Sequence, residues 1–211
     1  TSADSNFNGV DAGDVTVINT DNDSAGFAIT PTSGLVTSES GTTATFTVAL
    51  TAQPSANVTF NLTSSNTSEG VVSPSALTFT PGNWGTPQTV TVTGVNDAVD
   101  DGNRTFVIQT GTASSGDGTF SGLDPADVSV TNTDDDTVGI TVTPVSGLTT
   151  SESGTATTFT VVLNTQPTAD VVIGLSSSDT TEGAVTPGSL TFTSANWSTP
   201  QTVTVTGVND S

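Results

Sequence analysis

The chain has 211 residues, of which 21 are Asp or Glu and one, Arg104, is a cation, for a formal charge of −20. It contains no His, Cys, Met or Tyr, which removes the usual general base, the thiol nucleophile and the soft metal ligands together. Catalysis is therefore not expected, and with almost no Lys or Arg neither is nucleic-acid binding, docking on anionic lipid or, lacking a long apolar run, direct membrane insertion.

In chain order, the opening stretch 1–23 carries one alternating run, DVTVINT, and closes on the acidic turn Asp21-Asn22-Asp23. Further polar/apolar alternation follows at ATFTVAL (44–50), NVTFNL (57–62), ALTFT (76–80), QTVTVTGV (88–95), RTFVIQT (104–110) and DVSVTNT (127–133). A period of two marks half-buried antiparallel strands. Thr fills most outward positions, where its branched side chain suits a pleated, solvated face. Turn residues cluster between the runs, as at Pro81-Gly82, Asp101-Gly102 and Asp117-Gly118. Phe46, Phe79 and Phe106 fall on alternating strands and read as core. Trp84 and Trp197 are expected to cap that core rather than stack on sugars. Nothing reads as a helix of useful length.

Internal repetition is the strongest signal. SGLVTSESGTTATFTVAL from Ser33 returns as SGLTTSESGTATTFTVVL from Ser146, and NWGTPQTVTVTGVND from Asn83 returns as NWSTPQTVTVTGVND from Asn196, both 113 residues later. FNGVDAGDVTVINTDND (Phe7 to Asp23) matches FSGLDPADVSVTNTDDD (Phe120 to Asp136) in the same register. Residues 1–23 are thus read as the C-terminal strand segment of one repeat, 24–136 as a complete repeat and 137–211 as the front of the next. About seven short strands in each such period point to an all-β fold of tandem immunoglobulin-like β-sandwiches. The front at 137–211 lacks a counterpart of 99–136, which 1–23 of a neighbouring copy would partly complete. One continuous giant chain, separate subunits sharing a domain, and an arbitrary boundary all give this count. A stretch without Met is in any case expected to be processed or a window of a longer protein.

Three acidic clusters repeat in loops or at strand ends: Asp21 and Asp23 with their copies Asp134, Asp135 and Asp136; Asp97, Asp100 and Asp101 with Asp210 in the copy; and the isolated pair Glu39 and Glu152. Calcium takes six to eight oxygens from carboxylates, carbonyls, amides and water. So many carboxylates, with one internal cation to pair them, require a neutraliser from solution. Asp and Asn are also ordinary turn residues, and runs of this kind are commonly solvated. Glu69 and Glu182 are expected to be solvated.

The succession SES-G, LTFTPGNW-TPQTVTVTGVND, VDDGNRTFVI and NTDDD resembles Calx-beta-type repeats, and more loosely cadherin-like ones, of bacterial surface and secreted proteins. The resemblance implies a calcium-binding sandwich with ions at one pole, near the junction between domains. It would bring Asp97, Asp100, Asp101, Asp134, Asp135, Asp136 and Glu39 to one site. The Gly- and Ser-rich stretch GTASSGDGTFSG departs from the pattern.

The expected role is a structural repeat of an extracellular fibre, adhesin stalk or filament at the cell surface, stiffened by calcium, with neighbouring copies arranged head-to-tail. A calcium sensor of Calx-beta type and a carbohydrate-binding appendage of a secreted enzyme are the alternatives. Sequons at Asn22, Asn57, Asn61, Asn66, Asn103 and Asn196 admit surface glycans, although a Ser- and Thr-rich chain generates that many by chance.

Overall fold

The computed structural model describes residues 1–209. The complete repeat contains β1 (Phe27–Thr30), β2 (Leu35–Ser38), β3 (Thr43–Leu50), β4 (Val58–Ser64), β5 (Gly70–Ser73), β6 (Ala76–Phe79), β7 (Gln88–Gly94), β8 (Arg104–Thr110), β9 (Ser114–Ser115) and β10 (Val128–Thr133). One sheet has the order β1-β3-β7-β5; the other has β2-β10-β8-β4-β6, with the short β9 also paired to β4. Two sheets of this kind must bury their facing sides against each other, and the alternating pattern meets that need. On β3, Phe46, Val48 and Leu50 are buried while the residues between them are not; on β10, Val128 and Val130 are buried.

The sandwich agrees with the sequence pattern, but its strands are more numerous and not all antiparallel. The first edge is divided between the sheets: β1 pairs with β3, the chain turns through Gly34 at φ 77°, and β2 joins the other sheet. Having crossed over, β2 runs parallel to β10, with Asn132 opposite Thr37. Alternation reports which residues face inward, not which sheet receives them, so this division left no mark in the pattern.

Aromatic rings close the end of the core beside β1. Phe27 meets Phe60 edge-on at 5.3 Å and Phe120 edge-on at 6.4 Å, and Phe60 stacks near Phe79. Phe120 comes from the Gly- and Ser-rich stretch between β9 and β10 and is fully buried. Burying each such ring contributes about 1.5–3 kcal/mol. Trp84 packs against this core and Trp197 against the second one, as expected.

The second unit repeats only part of this plan. It has β11 (Ile140–Thr143), β12 (Ala156–Leu163), β13 (Val171–Gly174), β14 (Gly183–Thr186), β15 (Ser189–Phe192) and β16 (Gln201–Gly207). The sheet β11-β12-β16-β14 reproduces the first sheet of the complete repeat, whereas the opposite sheet is reduced to β13-β15. Among the described residues nothing occupies the places of β8 and β10. The counterpart of β2, residues 148–151, joins neither sheet.

Residues 1–23 form a turn over 5–9 and no strand. The run DVTVINT, which alternation marks as a strand, pairs with nothing, because both strands that flank its copy in the complete repeat are absent from its surroundings. Phe7, Val10, Val15, Val17 and Ile18 are all exposed. No helix among the described residues is long and apolar enough to cross a membrane.

The two units touch through the loop that follows β7. The Val138 amide donates to Asp100 Oδ2 at 2.8 Å, and the Gln166 amide donates to the Ala98 carbonyl. Beside these contacts lies a cavity of about 600 Å³, lined chiefly by Val99, Ile140, Leu163, Pro167 and Val171.

Candidate metal centre

Three chain segments meet at one pole of the complete repeat. The turn after β2 brings Glu39, the loop between β7 and β8 brings Asp97 and Asp101, and the run after β10 brings Asp134 and Asp136. Because β2 and β10 are parallel neighbours, their ends emerge together: the Glu39 amide donates to the Thr133 carbonyl at 3.0 Å. The turn that presents Glu39 closes through Gly41, whose φ of 81° suits glycine.

The carboxylates form two groups, Glu39–Asp134–Asp136 and Glu69–Asp97–Asp101, in each of which one oxygen from every residue lies within 4.8 Å of the others. Glu39 is 4% exposed and Glu69 5% exposed. Asn132 is buried beside Glu69 of the second group. Its Oδ1 accepts from Thr37 Oγ1 at 3.0 Å, and its Nδ2 donates to Glu69 Oε2 and to the Val95 carbonyl. Gly94 is required alongside: a Cβ there would collide with the Ser38 carbonyl and with the Asn132 side chain.

Loop hydrogen bonds fix the Asp side chains. Asp134 Oδ1 accepts from the Asp136 amide at 2.8 Å and Oδ2 from the Gly102 amide at 2.6 Å, and these donors hold its carboxyl below the usual range. Asp97 Oδ1 accepts from the Val99 amide. Arg104 Nε lies 2.9 Å from Asp101 Oδ2, the one ion pair found among the described residues.

The electrostatics describe a site short of positive charge. Burial pushes the Glu39 carboxyl up to about 7, and the charges of Asp97, Asp134 and Asp136 push it further the same way against the Asp135 amide, which donates to Glu39 Oε2. Asp136 is likewise raised, first by burial and then by Asp134, Asp135, Asp97 and Asp100. Two buried carboxylate oxygens, Asp101 Oδ1 and Asp136 Oδ2, have no hydrogen-bond partner. Buried acceptors normally have a partner, and an unpaired one marks a missing donor or ion. One orphan sits in each group, and every candidate ligand is a hard oxygen. That donor set fits calcium and offers nothing to metals that prefer nitrogen or sulfur.

Of the residues singled out in the sequence, Glu39, Asp97, Asp101, Asp134 and Asp136 come together. Asp100 turns to the next repeat through Val138, and Asp135 supplies its backbone amide to Glu39. Asp21 and Asp23 lie exposed on the unpaired opening segment, and Glu152 is exposed in the second unit. Asp210 lies outside the described residues. Glu69 corrects the sequence reading: expected in solvent, it is buried in the second group because it sits at the mouth of β5, facing Asn132. A signal for it existed. The chain has four Glu, and they form two pairs in register, Glu39 with Glu152 and Glu69 with Glu182.

Residues 19–137, more than half of the chain, match the Calx-beta domain family. No curated protein matches the chain in sequence. Among solved structures, the apo-form Calx CBD1 domain is 19% identical, with a TM-score of 0.42, covering 53% of this chain and 98% of that one. The calcium binding domain CBD12 of CALX1.1 is 16% identical, with a TM-score of 0.41, covering 87% and 76%. The E. coli chaperone DraB is 9% identical, with a TM-score of 0.37, covering 89% and 88%. With the sandwich, the paired carboxylate groups at one pole and the match over 19–137 in place, the chain belongs to the Calx-beta domain family of calcium-binding β-sandwiches.

Proposed function

We propose that the chain is a non-catalytic structural segment of an extracellular fibre, adhesin stalk or filament, in which calcium at the acidic pole stiffens the junction between successive repeats and copies stand head-to-tail. One observation carries this reading. The loop between β7 and β8 supplies Asp97 and Asp101 to the carboxylate cluster, and the same loop holds the next repeat through Ala98 and Asp100. An ion that orders the loop therefore also orders the angle between units. Glu39, Asp134 and Asp136 would hold an ion in one group, and Glu69, Asp97 and Asp101 in the other; calcium there would supply the positive charge that the orphaned oxygens and crowded carboxylates lack. The Thr-rich outer faces and the net charge keep the sheet edges soluble and apart, as a long extracellular array requires.

The test is thermal unfolding of the whole chain in a calcium series and in excess chelator, with small-angle scattering on the same samples. Binding to the folded state alone raises the melting temperature with ligand concentration. A rise of several degrees together with a narrower spread of inter-unit distances is expected. An unchanged melting curve would reduce the acidic loops to solvated turns. The coupling of the loop to the next unit also suits a calcium sensor, and affinity separates the two: micromolar binding favours a sensor and millimolar binding a stalk.

A further inference from the structure

The inward face of β10 changes chemistry at its last position. Val128 and Val130 point into the core, and the next residue in the same alternation, Asn132, is just as buried. Apolar groups of matching shape can replace a buried hydrogen-bonded pair at little cost to stability. The sandwich therefore gains nothing from an amide here that a further aliphatic side chain would not supply. What the amide adds is a pair of N–H donors, and one of them goes to Glu69.

The neighbours of that amide fix which way it points. The Val95 carbonyl and the Glu69 carboxylate are acceptors, and both meet Nδ2, at 3.1 and 3.4 Å. On the other side the hydroxyl of Thr37, itself fully buried, donates to Oδ1 at 3.0 Å. Turning the amide over would set its oxygen against two acceptors, so only one orientation satisfies all three partners. Thr37 is anchored in turn, because Thr133 Oγ1 donates to its carbonyl at 3.1 Å and β2 lies in register with β10. Gly94 leaves the room: a Cβ there would run into Asn132 Oδ1.

Glu69 depends on this amide. The other two members of its group are held elsewhere, Asp97 by the Val99 amide and Asp101 by Arg104. The buried Glu69 carboxylate has Asn132 Nδ2 as its one hydrogen-bond donor among the described residues. A glutamate that is free in its pocket loses side-chain freedom when it takes an ion, which weakens binding. One that is already held does not. The hold also leaves the ligand usable, since a carboxylate has about four lone-pair sites and this contact occupies one.

We propose that Asn132 is a positioning residue for calcium: it holds Glu69 in place for the ion of the second group, and Thr37 orients the amide behind it. This rests on the reading of the acidic pole as a calcium site and names the side chains that prepare one half of it. Asn132 touches no ion itself and acts through Glu69.

The test is a double-mutant cycle on calcium affinity, measured by calorimetric titration of the whole chain. Asn132→Leu should weaken binding about 10–100-fold, the range seen when a residue that holds a metal ligand is removed. In a Glu69→Ala background the same substitution should add nothing measurable, because no carboxylate remains to be held. Equal weakening in both backgrounds would make Asn132 a purely structural residue and overturn the proposal. If Asn132→Leu loses cooperative melting without metal, Thr37→Val and Thr37→Ser carry the test. The first keeps the shape and removes the hydroxyl, and should weaken calcium; the second keeps the hydroxyl and should match the wild type. Equal weakening by both overturns the proposal as well. A further readout needs no metal. The chain has four Glu, so isotope-labelled glutamate gives four side-chain carboxyl signals in NMR. In the metal-free chain the Glu69 signal, identified by its loss in Glu69→Ala, should move on Asn132→Leu while those of Glu152 and Glu182 stay in place; an unmoved Glu69 signal counts against the proposal. Calcium that binds with an affinity indifferent to Asn132 removes this inference and leaves the calcium reading standing, whereas a wild-type chain that binds no calcium removes both.

Discussion

Residues 24–136 and 137–209 share most of their residues over their common length and differ sharply in what they bury. In the first, Phe46, Val48, Phe60, Leu62 and Val92 are buried within a core that runs between both sheets; in the second, the buried apolar set shrinks to Val161, Leu163, Leu190, Phe192 and Val203. Glu69 is enclosed beside Asn132, whereas its copy Glu182 is exposed. The strands common to both are not what differs. Burial depends on β8 and β10, which arrive late in the sequence and cover the face that the earlier strands leave open. A sheet's apolar face is a demand, and for β3 and β4 in this chain its satisfaction waits for β8 and β10, strands that come only after β5, β6 and β7; non-local pairings of this kind slow β-rich folding.

The contrast can be broken most directly by native-state hydrogen exchange. In the isolated, metal-free chain, amides of β3 and β7 should exchange on the order of a hundredfold or more slowly than the equivalent amides of β12 and β16, since local opening costs less where the core is smaller. Equal protection would mean the second unit finds its stability without the missing strands. Next in size is a matched pair of truncations. Phe120→Ala should cost about 3–5 kcal/mol in denaturant unfolding, whereas Phe7→Ala should stay within about 0.5 kcal/mol for the single chain. Asn132→Ala should cost about 1–3 kcal/mol because Thr37 and Glu69 lose their shared partner, with no measurable effect from Asn19→Ala at the equivalent position.

The smallest effect is a pH dependence confined to the complete repeat. The Glu39 carboxyl is raised from its ordinary value of 4.5 to about 7. The folded state therefore binds this proton more tightly than the unfolded one, so the contribution is present in full below pH 4.5 and is lost as pH rises through 7. Melting of the metal-free chain should fall across that window, Glu39→Gln should flatten the fall, and saturating calcium should remove it. A wild-type profile that is flat without metal would show that the carboxylates are better solvated than their burial implies.

Sequence made the sandwich legible because alternation and the 113-residue register both survive without a structure. Phe46, Phe79 and Phe106 were identifiable as core from period alone. The acidic pole was only partly legible. Asp134 and Asp136 announce themselves as a run, but Glu69 stands alone in a Ser and Gly context, and its burial comes from a strand mouth that no local pattern describes. The Calx-beta resemblance also implies Asp100 and Asp135; in the structure Asp100 accepts from Val138 of the next unit and the Asp135 amide donates to Glu39, while the charges of both bear on Asp136. Spacing along a loop does not fix which side chains turn inward, because that depends on hydrogen bonds from Gly102 and Val138, far away in sequence or in another unit.

The lone cation has a consequence for durability. Proteases of the trypsin type cut after Lys or Arg, and in the whole chain they find one bond, between Arg104 and Thr105. That bond opens β8, is paired across to β10 at Asn132, and carries an Arg whose guanidinium is engaged by Asp101. A protease needs an extended, unpaired stretch in its cleft, so the folded repeat denies such enzymes their only foothold. Outside a cell, where these proteases are common, the chain would persist for as long as the pole around Asp101 stays closed, and the appearance of two fragments, 1–104 and 105–211, would record the moment it opens.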